Sequence, residues 1–251
     1  MKNPYHLLLW LSWPLLLLAC SQKENLEPTP LYTNLSDLDA PVDWSKLEFD
    51  CNEELTLTGN YLHGYINDQE FCYQHNEENY TSFQFLSPHY AQDNPNEPTI
   101  IGRRLRMSLQ EFPDQSNKAY FEFQFPVILD PDAEKGAFFE SLMVGDYLLD
   151  EADKVEENFI ISLVQPVTIG LDNQNTATTD SIRVIKRLGT ELGTQQEGAL
   201  TLISFEKNEF DTFDKYRVEY AINCLLYESE GQAALFEIKD MIWGMEIIVP
   251  K

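Results

Sequence analysis

The sequence predicts an all-β protein, an antiparallel β-sandwich of about eleven strands, and three observations predict it. Apolar and polar residues alternate along run after run, most plainly in Tyr216, Val218, Tyr220, Ile222 and Cys224 and in Met241, Trp243, Met245, Ile247 and Val249. The segments between these runs are short and rich in Asn, Asp, Gly and Pro, the residues that turns require. Helical spacing of apolar residues is almost absent.

Taken in order, Leu55-Thr56-Leu57-Thr58 opens the alternation. Tyr61–Ile66 and Gln69–Gln74 read as a hairpin closed by Asn67-Asp68, because both residues tolerate positive φ. Tyr80–Leu86 is the next strand, and the polar run from Gln92 to Pro98 is a loop. Ile101, Arg103, Leu105, Met107 and Leu109 alternate with Gly102, Arg104, Arg106, Ser108 and Gln110, the pattern of a half-buried strand. Phe121, Phe123 and Phe125 share one face against Glu122 and Gln124. Burying those rings contributes roughly 1.5–3 kcal/mol each, before entropy is subtracted. Asp132–Met143 carries Phe138, Phe139, Leu142 and Met143 near helical spacing and reads as one short helix. Val144-Gly145-Asp146-Tyr147 reads as a turn into a strand, and Phe159–Val164 is a compact apolar run. Strands follow at Ser181–Leu188, Leu200–Phe205, Tyr216–Leu226, Ala234–Ile238 and Met241–Val249. The Asn/Thr-rich stretch Asp172–Thr179 is the place to divide the strands into two lobes, if two exist.

The first residues carry a different message. Lys2, the apolar run Leu7–Leu18 and Ala19-Cys20 have the layout of an export signal, with the run too short and too broken by Pro14 to span a bilayer. Leu17-Leu18-Ala19-Cys20 matches the lipobox of bacterial lipoproteins, which implies removal of residues 1–19, acylation of Cys20 and anchorage to a membrane by more than one chain. Residues 20–47, with Pro28, Pro30 and Pro41, then read as a polar tether, and 48–251 as the folded domain. The lipobox, the tether, and the stretches Gly64-Tyr65-Ile66-Asn67-Asp68 and Tyr220–Tyr227 together resemble the β-rich lipoproteins of Bacteroidota. That resemblance spans most of the chain and implies a lipid-anchored protein of the cell envelope, in the outer membrane, without implying an activity. In such lipoproteins an acidic run after the lipidated cysteine accompanies surface display; Lys23-Glu24 here is mixed in charge.

The formal net charge of −25 repels nucleic acid and anionic headgroups, so nucleic acid is excluded as a partner. Three cysteines besides Cys20 make an odd set in a compartment that permits disulfides. Cys51 with Cys72 closes the shortest loop, a pairing that would contribute about 3 kcal/mol, while Cys224 sits in an apolar alternation as a small hydrophobe.

Motifs for chemistry are few. No nucleophile elbow, H-E-x-x-H or phosphate-binding Gly loop occurs, and no catalytic residue is assigned. His63, His75 and His89 lie close in sequence, and Cys72 stands three before His75; this is half of a zinc spacing, and the hairpin would set His63 across from Cys72. With the second half missing, neither a metal nor a cofactor is expected. Asp130-Pro131-Asp132-Ala133-Glu134 begins like a calcium loop, but Lys135 and Ser141 occupy the Gly and Glu positions. Arg103, Arg104 and Arg106 cluster on one strand, either to meet an anionic partner or to pair with the protein's own acids. Tyr61, Tyr65, Tyr90 and Trp243 are the rings for a platform against a sugar face, competing with a place in the core. These readings converge on a non-catalytic binding module for a protein or glycan. An envelope glycan hydrolase with a carboxylate pair and a structural component of an envelope assembly are the alternatives.

Overall fold

The computed structural model describes residues 42–44, 47, 51, 58–75, 80–91, 98–111, 119–142, 146–147, 149, 158–172, 179–196 and 198–251. The lipobox with Cys20, most of the expected tether, the strand at 55–57 and the loop 173–178 lie outside them. Contacts divide the chain into two units, 1–39 with 169–182 and 40–168 with 183–251. Of the first, only the strand ends 169–172 and 179–182 are described. The second holds the core.

Among the described residues eleven strands form two sheets, and the protein is an all-β sandwich. The first sheet runs β2 (Gln69–Gln74), β1 (Tyr61–Ile66), β11 (Phe236–Pro250), β10 (Phe213–Leu226), β9 (Leu200–Glu209) and the two-residue β6 (Asp146–Tyr147). The second runs β3 (Tyr80–Tyr90), β4 (Ile100–Glu111), β5 (Tyr120–Gln124), β7 (Ile160–Asp172) and β8 (Thr179–Gly189). The β1–β2 hairpin turns on Asn67 and Asp68 at φ 48° and 63°, the doubly left-handed turn that matches strand twist.

Where the sequence reads two strands, Ala234–Ile238 and Met241–Val249, the structure has one. Lys239-Asp240 looks like a turn but is a bulge in β11: Asp240 sits at φ 48°, and its N–H donates to Asn223 Oδ1 at 2.8 Å. The register of β10 against β11 shifts at this point, between Ile222 and Cys224, and that of β1 against β11 shifts between His63 and Tyr65. Gly64 accommodates the bend, since a Cβ there would lie 2.4 Å from Met241 Cα.

The alternation explains the core. Val218, Tyr220 and Ile222 from β10 and Met241, Trp243 and Met245 from β11 face Leu105, Met107, Phe121, Phe123 and Ile161 of the other sheet, and all are buried. Trp243 is the centre of this layer. It stacks on Phe123 at 3.8 Å and on Tyr220 at 5.4 Å, and meets Phe125 and Phe159 edge-on at 6.2 and 6.3 Å. The one α-helix among the described residues, α1 (Lys135–Ser141), lies inside the expected span and covers this core with Phe138 and Phe139, the latter 5.8 Å from Phe125.

Two expected boundaries move. Trp44 is 5 % exposed, its Nε1 donating to Glu228 Oε1 at 3.2 Å, and Val42 and Leu47 pack beside it. Val42, Trp44 and Leu47 therefore belong with the folded core and not with the expected tether, because an indole that buries its ring and satisfies its N–H is held by the core. Nor does the stretch 172–179 separate two lobes of strands, since β1 pairs with β11 from the far end of the chain.

Candidate functional site

The four rings expected to form one platform are dispersed. Trp243 is fully buried between the sheets, where its alternation with Met241 and Met245 places it. Tyr61 is 3 % exposed: it lies across Gly244, where a Cβ would come within 2.1 Å of the ring, and its hydroxyl donates to Glu219 Oε1 at 3.0 Å. An aromatic laid over a strand glycine covers the backbone that the glycine leaves bare. Only Tyr65 and Tyr90 are exposed, and they belong to different sheets, on β1 and β3. No stacking concavity is formed by the set.

The outer face of β3 and β4 brings together residues that the linear sequence does not. Register sets Phe85 against Arg106, Ser87 against Arg104 and His89 against Gly102 on one face; the shift that follows adds its extra residue, Ile101, to β4, so Tyr90, opposite Ile100, turns to the other side at the end of the same edge strand. Phe85 is 41 % and Tyr90 43 % exposed. The arginines divide by strand parity. Arg103 turns to the opposite side and donates Nε to Pro131 O at 2.7 Å. Arg104 is buried and donates to Gln124 Oε1 at 3.3 Å, while Gln124 Nε2 donates to Glu122 Oε1 at 2.7 Å. Arg106 is half-buried, and its Nε meets no acceptor among the described residues. Among the described strands β3 pairs on one side only, so this face ends in a strand edge.

Carboxylates gather elsewhere, around cations. Lys207 Nζ lies 2.9 Å from Glu140, 3.2 Å from Glu209 and 3.4 Å from Asp214, and 5.6 Å from the Tyr216 ring centre. The hydrogen bond from Lys207 holds the Glu140 carboxyl below its ordinary range, and the bond to Glu140 raises the lysine. Burial pushes Asp214 up, but Lys251 and Lys207 outweigh it and hold that carboxyl low. Glu219 accepts from Tyr61, from Ser204 at 3.1 Å and from Arg217 at 3.4 Å. These acids are committed to lysine, arginine and hydroxyl partners, whereas a general acid needs a carboxyl raised toward neutrality. The acidic run at Asp130 is a local turn, with Asp132 N donating to Asp130 Oδ1 at 2.9 Å.

Cys51 and Cys72 are joined by a disulfide, Cα to Cα 4.8 Å, and Cys224 is a buried free thiol that burial holds protonated. On the hairpin, Cys72 opposes His63, and His63 Nε2 is 3.1 Å from Glu70 Oε1. Sequence reasoning paired His63 with Cys72 through the turn but missed Glu70, although its diagonal position two residues before Cys72 was readable from the same register. Phe85 was missed outright, because a Phe in an alternating strand signals core unless the parity of the partner strand is known. No helix among the described residues is long and apolar enough to cross a membrane. No protein-family model, curated protein or solved structure matches the chain.

Proposed function

We propose that this protein is a non-catalytic binding module of the cell envelope, anchored to the outer membrane through a lipidated Cys20 and engaging a protein or glycan partner with the outer face of β3 and β4. The observation that carries the reading is the coincidence on that face of the exposed ring of Phe85 with the half-buried Arg106 directly opposite it, beside an open strand edge at whose end Tyr90 is also exposed. Rings and arginine are the side chains that dominate binding energy at interfaces, and an open edge adds backbone donors and acceptors. In a chain of net charge −25 the half-buried Arg106 is also a local attractor for carboxylate, sulfate or phosphate. The lipobox Leu17-Leu18-Ala19-Cys20 and the resemblance to Bacteroidota lipoproteins support the anchor. The pairing of Glu140, Glu209 and Asp214 with Lys207 speaks for binding over carboxylate-pair hydrolysis.

The test compares wild type with a Phe85→Ala, Tyr90→Ala, Arg106→Ala variant on a glycan array and in chemical crosslinking on intact envelopes. A partner retained by wild type and lost by the variant is the expected outcome. Equal capture by both, or turnover of a glycan by wild type, overturns the proposal.

A further inference from the structure

The β1–β2 hairpin carries a second set of groups that the β3–β4 face does not use. His63 stands opposite Cys72, Glu70 reaches back along β2 to His63, and the disulfide draws Cys51 to the same point. One ligand atom from each of Cys51, His63 and Glu70 lies within 4.8 Å of the other two. Half of a ligand set is legible in the hairpin's sequence; the fold adds the other half from Glu70 and from a cysteine outside the strands.

We propose that this corner is a thiol-gated zinc site, closed as the Cys51–Cys72 disulfide and opened by a dithiol reductant to a set of Cys51, Cys72, His63 and Glu70 that binds one zinc ion. Reduction breaks the S–S bond and leaves two protein thiols. The two electrons come from the dithiol, which becomes a cyclic disulfide. Zinc then binds the thiolates, and the two thiol protons pass to solvent.

The donor set suits this metal. Two thiolates, an imidazole and a carboxylate are ligands zinc takes in tetrahedral sites, at about 2.3 Å for sulfur and about 2.0–2.2 Å for nitrogen and oxygen. Sulfurs so placed stand roughly 3.8 Å apart, so the bonded pair has to separate before metal enters. Cys51 belongs to no strand, which frees its side chain to supply that movement while β2 fixes Cys72. The His63 and Glu70 side chains are 39 % and 53 % exposed, so the metal has a path from solvent. In the oxidised form both sulfurs are spent on each other and only His63 and Glu70 remain, too few to hold zinc.

The experiment uses the full chain, reduced with dithiothreitol, freed of reductant without air, and titrated with cobalt(II) and then zinc(II). The reduced chain is expected to take one cobalt with a thiolate-to-metal charge-transfer band that zinc discharges, and the oxidised chain to show no band. Cys51→Ser and Cys72→Ser each remove the band, Cys224→Ala leaves it, and His63→Ala weakens zinc binding by more than about tenfold, the loss that removal of an outer-shell partner alone can bring. Because a cysteine variant can fail by misfolding, zinc protection is read on reduced wild type as well. Alkylation by iodoacetamide, mapped by peptide mass so that Cys20 and Cys224 are counted apart, is expected to slow at both Cys51 and Cys72 when zinc is present. The proposal is overturned if the reduced chain binds no more metal than the oxidised one, if the band survives Cys72→Ser, if His63→Ala leaves zinc affinity unchanged, or if zinc leaves alkylation of both cysteines unchanged.

Discussion

The β10–β11 pair and the β3–β4 pair are both long antiparallel ladders, yet they spend their outer faces differently. On β10 and β11 the outward charges are closed into pairs: Lys215 with Glu246 at 2.9 Å, Arg217 with Glu219 at 3.4 Å, Lys239 with Glu237 at 3.0 Å. Tyr61 lies over Gly244 and is sealed from water. On β3 and β4 the ring of Phe85 stays partly in solvent opposite Arg106, and Tyr90 is exposed at the end of β3. The inner faces of β4, β10 and β11, by contrast, are alike, apolar and packed. Sheet alternation thus separates what holds the fold from what is left over, and on the edge pair the leftover sets an aromatic ring opposite an arginine.

The comparison breaks most visibly at its centre. Trp243→Ala removes the ring that Phe123, Tyr220, Phe125 and Phe159 pack against and is expected to cost about 3–5 kcal/mol, read as a lower denaturation midpoint. A loss under about 1 kcal/mol would mean that the two sheets do not meet there. Cys51→Ser with Cys72→Ser releases a loop with a sequence separation of 21 and is expected to cost about 3 kcal/mol; unchanged unfolding would place the bridge outside the cooperative unit.

Tyr61→Phe is smaller, about 1 kcal/mol at neutral pH, because it removes one hydrogen bond and keeps the ring over Gly244. Its signature is in the alkaline limb. Burial, then the bond to Glu219, raises the phenol from 10.0 to about 12 in the folded protein. A raised folded value means that the contribution is complete below pH 10 and is lost as pH climbs toward 12. Wild type should lose stability across that window and the variant less so; parallel curves in alkaline denaturation would contradict the placement of Tyr61. At the small end, Phe85→Ala and Tyr90→Ala should each cost less than about 1 kcal/mol, since the two rings already leave 41 % and 43 % of their surface in water.

How far the sequence foretold this follows from which signal each element leaves. The alternations of β4, β5 and β10 declared themselves because one face of each is core and the other is not. The Asp240 bulge was hidden, because a polar pair inside an apolar run looks the same whether the chain turns back or only kinks. Trp243 could have been placed in the core from its own period-two pattern, while Tyr61 gave no such sign: its cover is Gly244, a partner known only from register. The clustering of Arg104 and Arg106 was readable, but their separation into one buried and one half-buried arginine depends on what β5 presents, namely Gln124. Cys51 near Glu70 follows only when two readings are joined, the Cys51–Cys72 pairing and the hairpin register that places Glu70 beside Cys72.

The contrast between the two outer faces is tested most directly by photocrosslinking on intact envelopes. A photoreactive benzoylphenylalanine is placed at Phe85 on β3 in one protein and at Ile248 on β11, itself 58 % exposed, in another. The account predicts a discrete adduct from position 85 and none from position 248. Adducts of equal yield from both positions, or an adduct from position 248 alone, would contradict it.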